Sequence, residues 1–146
     1  MSTPRTILLV EDNPQDEILI LRSLRKANLV NQIDVARDGQ QALDYLFCQG
    51  EFAGRNLEEP PTVVLLDIGL PRLSGLEVLE RLRADPRTRL LPVVILTSSD
   101  EDRDRLKSYE NGANSFVRKP VNFAEFAETV AQLGIYWLVT NQPPQG

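Results

Sequence analysis

Histidine is absent from this 146-residue chain, and cysteine, tryptophan and methionine occur once each. Without histidine there is no Ser-His-Asp triad, no Cys-His pair and no His-bearing zinc site. Nor is there an imidazole on which the chain could carry a phosphoryl group. A lone Cys48 excludes an internal disulfide framework; its simplest role is a small hydrophobe at a helix end. No apolar run approaches the roughly 20 residues of a membrane span. No signal-peptide hydrophobic stretch precedes the first apolar run. Basic residues are outnumbered, 16 against 21, and a net charge of -5 argues against a general nucleic-acid binder. The expectation is a soluble, cytoplasmic protein with neither nucleic acid nor membrane as partner. Its chemistry must run on carboxylates, hydroxyls and lysine.

What is present is a globular composition, 42% hydrophobic and 25% charged, with enough apolar residues for a real core. The simplest organisation is one domain over residues 1–146, with a core over about 5–139 and a flexible tail over 140–146. The central stretch is Thr62 to Gly75. Val63 to Leu66 form a short, β-branched-rich run that stops at Asp67, with prolines before it and Gly69 and Pro71 after. Such a run between breakers reads as a strand buried on both faces. Similar runs lie at Thr6–Val10, Ile33–Ala36, Val93–Leu96 and Ser115–Val117.

Helical patterns alternate with these runs. Asn13 suits an N-cap with Pro14 as the first helical residue, followed by Ile18, Leu21, Leu24 and Leu29 as the apolar stripe. Asp38-Gly39 opens a second helix, which Gly50 is expected to end. Ser74-Gly75 opens a third, ending near Asp85-Pro86. A fourth runs from Asp100 to Gly112, and a fifth opens at Asn122. Residues 50–61 form a surface loop longer than the usual two to six residues. Five strands alternating with five helices predict an α/β fold, a (βα)5 doubly wound parallel sheet with right-handed crossovers.

The polar residues at the run ends carry the functional signal. Glu11 and Asp12 follow the first run, Asp67 the third, Thr97 and Ser98 the fourth, and Lys119 the fifth. Ligands of open parallel sheets bind outside the carboxyl ends of the strands. With strand order 2-1-3-4-5, the first and third strands are neighbours, and three carboxylates meet at one edge. They repel unless a cation sits among them. Hard oxygen ligands suit Mg²⁺, and an Asp beside it is a possible phosphoryl acceptor. Taken singly, each residue has an ordinary role. Asp67 can cap a turn, Glu11 and Asp12 can serve a helix N-terminus, and Lys119 can be solvated.

Together these motifs resemble the receiver domain of two-component response regulators, a flavodoxin-like fold. The resemblance rests on Val-Glu-Asp-Asn at 10–13, Leu-Leu-Asp-Ile-Gly-Leu-Pro at 65–71 and Ser-Gly at 74–75. It continues in Leu-Thr-Ser at 96–98, Gly-Ala at 112–113 and Lys-Pro at 119–120. It implies Asp67 as phosphoacceptor and an Mg²⁺ site of Glu11, Asp12, Asp67 and the backbone carbonyl of Gly69. Thr97 and Lys119 are then the phosphate-sensing pair, Phe116 and Ser98 belong to the switch, and the Lys119–Pro120 bond is expected to be cis. Gly69 and Ser99 fall where the family tunes phosphoryl loss. Neither carries a carboxylate or amide to orient an attacking water, so a long-lived phosphoryl state is expected.

The long loop, Ser108-Tyr109 and the 135–139 segment resemble stand-alone regulators of bacterial and cyanobacterial phytochrome histidine kinases. A sensor histidine kinase is thus the expected donor, and Arg22, Arg25 and Lys26 a candidate surface for it. The length leaves no room for an output domain, which points to a binding surface or onward phosphotransfer. Phe123, Phe126, Val130, Leu133 and Trp137 can serve the core, whereas Ile135, Tyr136, Leu138 and Val139 exceed what one helix face needs. They suggest a homodimer through the fourth helix, fifth strand and fifth helix. A haloacid dehalogenase-type phosphatase also uses Asp, Thr, Lys and Mg²⁺, but its second Asp is replaced here by Gly69. A non-phosphorylated scaffold would not need the intact acidic set.

Overall fold

The computed structural model describes residues 6–26, 32–70, 73–97 and 115–119, together with positions 124, 125, 128 and 132. Its elements are β1 (Thr6–Val10), α1 (Pro14–Lys26), β2 (Gln32–Ala36), α2 (Gly39–Leu46), β3 (Val63–Asp67), α3 (Gly75–Ala84), β4 (Val93–Thr97) and β5 (Ser115–Arg118). All strand pairs are parallel, in the order β2-β1-β3-β4-β5. The expected sheet is therefore present. The fourth helix, Ser98 and the 135–139 segment lie outside the described residues, as does the Lys119–Pro120 peptide bond.

Every side chain of β3 and β4 is buried, as are Ile7 to Val10 of β1. A strand has a side-chain period of two, so each one feeds two separate cores. Leu8, Val10, Val64, Leu66, Val93 and Ile95 pack with α2 and α3 on one face. Ile7, Leu9, Val63, Leu65, Val94 and Leu96 join Ile20 and Leu24 of α1 on the other. This two-sided burial explains why the runs are continuously apolar rather than alternating.

Among the described residues the α1 stripe differs from expectation at one place, and Leu29 lies outside them. Ile18 is 55% exposed, whereas Ile20 is 1% exposed. Ile20 and Leu24 are one turn apart and share the core face, with Leu21 beside them; Ile18 falls on the outside. Residue type alone could not rank three nearby aliphatics.

The end of α2 also departs from the sequence reading. The helix stops at Leu46, and Phe47 caps it through its amide. Cys48 then adopts a left-handed φ of 55°. Gly50 does not end α2 but starts a short 3₁₀ turn, Gly50–Phe52. The long loop is pinned by Arg55. Its guanidinium lies 3.7 Å from the centre of the Tyr45 ring and donates to the Tyr45 and Glu59 carbonyls. Tyr45 itself donates to Asp34 Oδ2 on β2 at 2.5 Å. One arginine thus ties an insertion to α2, and one tyrosine ties α2 to the sheet edge.

At α3, Ser74 and Glu77 form a reciprocal capping box. Thr88 donates to the Leu82 carbonyl at 2.6 Å, and Arg83 donates to the Thr88 carbonyl at 3.2 Å, closing the other end. Asp85 Oδ1 accepts from the Arg87 amide and side chain, which holds the Asp85 carboxyl down at about 2.

Candidate functional site

The strands deliver the site through their register. Val10 pairs with Ala36 and Leu66, so Glu11 and Asp67 leave adjacent strands at the same level. The Glu11 amide still bonds to the Ala36 carbonyl at 2.9 Å, and the Lys119 amide to the Thr97 carbonyl at 2.7 Å. These ladder extensions hold the site residues on the rigid sheet rather than on free loops.

Glu11, Asp12 and Asp67 each offer a carboxylate oxygen, and the three lie within 4.8 Å of one another. Glu11 and Thr97 are fully buried, Asp67 is buried, and Asp12 is exposed. Lys119 reaches across the sheet edge. Its Nζ is 2.7 Å from Glu11 Oε1, 3.1 Å from Asp16 Oδ2 and 3.4 Å from Asp67 Oδ1. Glu11 Oε2 accepts the Asn13 amide at 3.2 Å, and Asp67 Oδ1 accepts the Gly69 amide at 3.3 Å.

Charge and burial conflict here. Desolvation pushes the Glu11 carboxyl up to about 7; the Lys119 ammonium pulls it down, and the Asp67 charge adds to the rise. Burial alone would lower the Lys119 pKa, but Glu11, Asp67 and Asp16 outweigh it and hold the ammonium above its ordinary value. Among the described residues, the Lys119 ammonium is the partner of the buried Glu11 Oε1. Three carboxylates gathered at one strand edge, with a single ammonium among them, are the donor set of a hard divalent cation. Among the described residues, nothing lies within 4 Å of a Cβ built on Gly69. The residues present fit such an ion.

The sequence-predicted residues Glu11, Asp12, Asp67, Thr97 and Lys119 thus converge on one edge, with Gly69 two residues beyond Asp67. Phe116 takes part in β5 through its backbone, opposite Ile95; its side chain lies outside the described residues. Asp16 is a site residue that sequence reasoning missed. Its signal was position: it is the third residue after the Asn13 cap, whose Oδ1 accepts the Asp16 amide at 3.0 Å.

On α1, Ile18, Leu21, Arg22 and Arg25 line an open surface groove. Among the described residues no helix is long and apolar enough to cross a membrane.

A model of the response regulator receiver domain matches residues 7–131. The probable methanogenesis regulatory protein FilR2 of Methanothrix harundinacea is 42% identical over 97% of this chain and 88% of its own. Response regulator Rcp1 of Synechocystis sp. is 34% identical over 94% of this chain and 91% of its own. A crystal structure of the Mn²⁺-bound form of Rcp1 matches with a TM-score of 0.75 and 33% identity, covering 97% of this chain and 99% of that one. The bacteriophytochrome response regulator RtBRR matches with a TM-score of 0.87 and 49% identity, covering 99% of this chain and 86% of that one. Sequence, strand order and the acidic edge agree, and the chain belongs to the response regulator receiver domain family.

Proposed function

We propose that this chain is a single-domain response regulator that accepts a phosphoryl group on Asp67 from a phosphohistidine of a partner kinase. The observation that carries the reading is the clustering of Glu11 and Asp12 with Asp67, and of Lys119 within 3.4 Å of Asp67. An Asp67 carboxylate oxygen attacks phosphorus, and the P–N bond to the donor imidazole breaks. The nitrogen keeps the bonding pair and is neutralised by a proton. Asp67 is the nucleophile, and the Gly69 amide orients it through Oδ1. Glu11, Asp12, Asp67 and the Gly69 carbonyl would hold Mg²⁺, which when bound offsets charge building on the phosphoryl oxygens. Lys119 and Thr97 meet the new phosphoryl group, and Ser98 and Phe116 answer it as the switch. The chain turns over no substrate of its own beyond this self-catalysed transfer and slow phosphoryl loss.

The similarity to a bacteriophytochrome regulator supports a phytochrome-type kinase as donor; the cytoplasm is the proposed place of transfer. The α1 groove supports docking there, because Ile18, Leu21, Arg22 and Arg25 offer a partner apolar surface and positive charge together. We extend the proposal to a homodimer through Tyr136, Trp137, Leu138 and Val139, tested by the solution mass of Tyr136→Glu against the parent.

The deciding experiment is labelling with acetyl phosphate and Mg²⁺, read by mass spectrometry of the intact protein and its peptides. One phosphoryl group should appear on Asp67, and it should vanish in Asp67→Asn or with chelator. A parent that takes no label, or an Asp67→Asn variant that takes it equally, would overturn the reading.

A further inference from the structure

Lys119 carries more partners than its expected role requires. Its ammonium has three N–H donors, and three carboxylates surround it. Glu11 and Asp67 belong to the acidic cluster, but Asp16 does not. Asp16 is nevertheless nearer to Nζ than Asp67 is, 3.1 Å against 3.4 Å. We infer that Asp16 is a positioning residue that holds the Lys119 ammonium in the resting protein and competes with a phosphoryl group on Asp67 for it. This rests on Asp67 being the phosphoacceptor.

Rigidity and charge together give Asp16 this role. Asp16 sits in the first turn of α1, its amide fixed by the Asn13 cap. Its carboxylate is short and its backbone cannot shift without uncapping the helix. Lys119, by contrast, has a four-carbon stem that can swing. When Glu11 and Asp67 turn to a cation, Asp16 keeps its hold on Nζ. A phosphoryl group on Asp67 must then draw the ammonium from a fixed anion. The Asp16 side chain is 36% exposed and that of Lys119 10%, so solvent screens the pair in part. The effect should therefore be modest and measurable. An ordinary alternative exists: an acid in a first turn also stabilises the helix dipole. That role would change melting temperature and leave ligand binding alone.

The test is calorimetric titration of the full chain with beryllofluoride, a phosphoryl mimic, in saturating Mg²⁺. Asp16→Asn keeps the shape and removes the charge. It should bind beryllofluoride roughly two- to fivefold more tightly, the range a part-exposed ion pair supports. Asp16→Glu should stay near the parent. The ¹⁵N resonance of the Lys119 ammonium should also move in Asp16→Asn before any ligand is added. Unchanged or weaker binding in Asp16→Asn would overturn the inference while leaving Asp67 as the acceptor. A parent that fails to bind beryllofluoride, or an Asp67→Asn variant that binds it equally, would remove the phosphoacceptor reading and this inference with it.

Discussion

Gly75 lies against the backbone of Asp67 so closely that a Cβ at position 75 would sit 2.4 Å from the Asp67 carbonyl oxygen and 2.8 Å from the Ile68 Cα. Both obstacles are backbone and cannot swing aside. The start of α3 is thereby pressed onto the strand end that presents Asp67, the proposed phosphoacceptor, and the Gly75 amide bonds to the Ile68 carbonyl at 3.2 Å. Gly75→Ala should cost about 1–3 kcal/mol, the range for overpacking, read as a lower urea midpoint. It should also slow labelling by acetyl phosphate, because relief of the clash moves Asp67. Unaltered stability would mean that the α3 start yields freely.

Gly69 presents the opposite case. A Cβ there meets nothing within 4 Å, and its φ is not left-handed, so a side chain fits without strain. Its amide already bonds to Asp67 Oδ1. Gly69→Asn places an amide beside the phosphoryl group, able to orient an attacking water. The parent, lacking this, should keep its phosphoryl group well beyond seconds, and Gly69→Asn should lose it several-fold faster. Phosphate release after removal of acetyl phosphate measures both. Equal decay would show that position 69 does not govern water.

These two glycines illustrate what the sequence could disclose. Breaker spacing makes the strand ends legible, so Asp67, Glu11, Thr97 and Lys119 fall at one edge on the sequence alone. The Ser74 cap and the stop at Asp85 were legible for the same reason, since local chemistry sets both. The closeness of Gly75 to Asp67 was not, because it depends on how a helix settles on a sheet. Asp16 escaped notice likewise. Its partner is 103 residues away, and only the assembled edge brings the two together. Arg55 stacks on Tyr45 from within the long loop, a contact that no local pattern announces.

The α1 groove separates two kinds of phosphoryl donor. Acetyl phosphate needs only the acidic edge, whereas a protein donor must also dock. Ile18 is 55% and Leu19 46% exposed, an apolar surface next to the cations of Arg22 and Arg25. Reversing both charges in Arg22→Glu/Arg25→Glu should cut phosphotransfer from the cognate kinase at least tenfold, with docking charge acting chiefly on encounter rate. Acetyl phosphate labelling should stay within about twofold, since neither arginine belongs to the acidic cluster. Loss of both activities would point to damage to the fold, not docking.

The sharpest conflict between stability and function sits at Glu11. Its folded-state carboxyl is raised from 4.5 to about 7, chiefly by desolvation. For an acid, a raised pKa means that the folded state favours the proton. The ion-free protein should therefore lose stability as pH rises from about 4.5 towards 7, since the unfolded chain gives up that proton more readily. Asp85 acts in the other direction: its depressed carboxyl contributes stability that is lost only as pH falls towards 2. Glu11→Gln removes the costly charge, keeps the shape, and leaves Asp16 and Asp67 to hold Lys119. In chelator at pH 8, Glu11→Gln should melt above the parent. Added Mg²⁺ should then raise the parent melting temperature by binding the folded state and do little for the variant, which has lost a ligand. A Glu11→Gln variant that melts lower in chelator would show that its ion pair with Lys119 outweighs the cost of burying the charge.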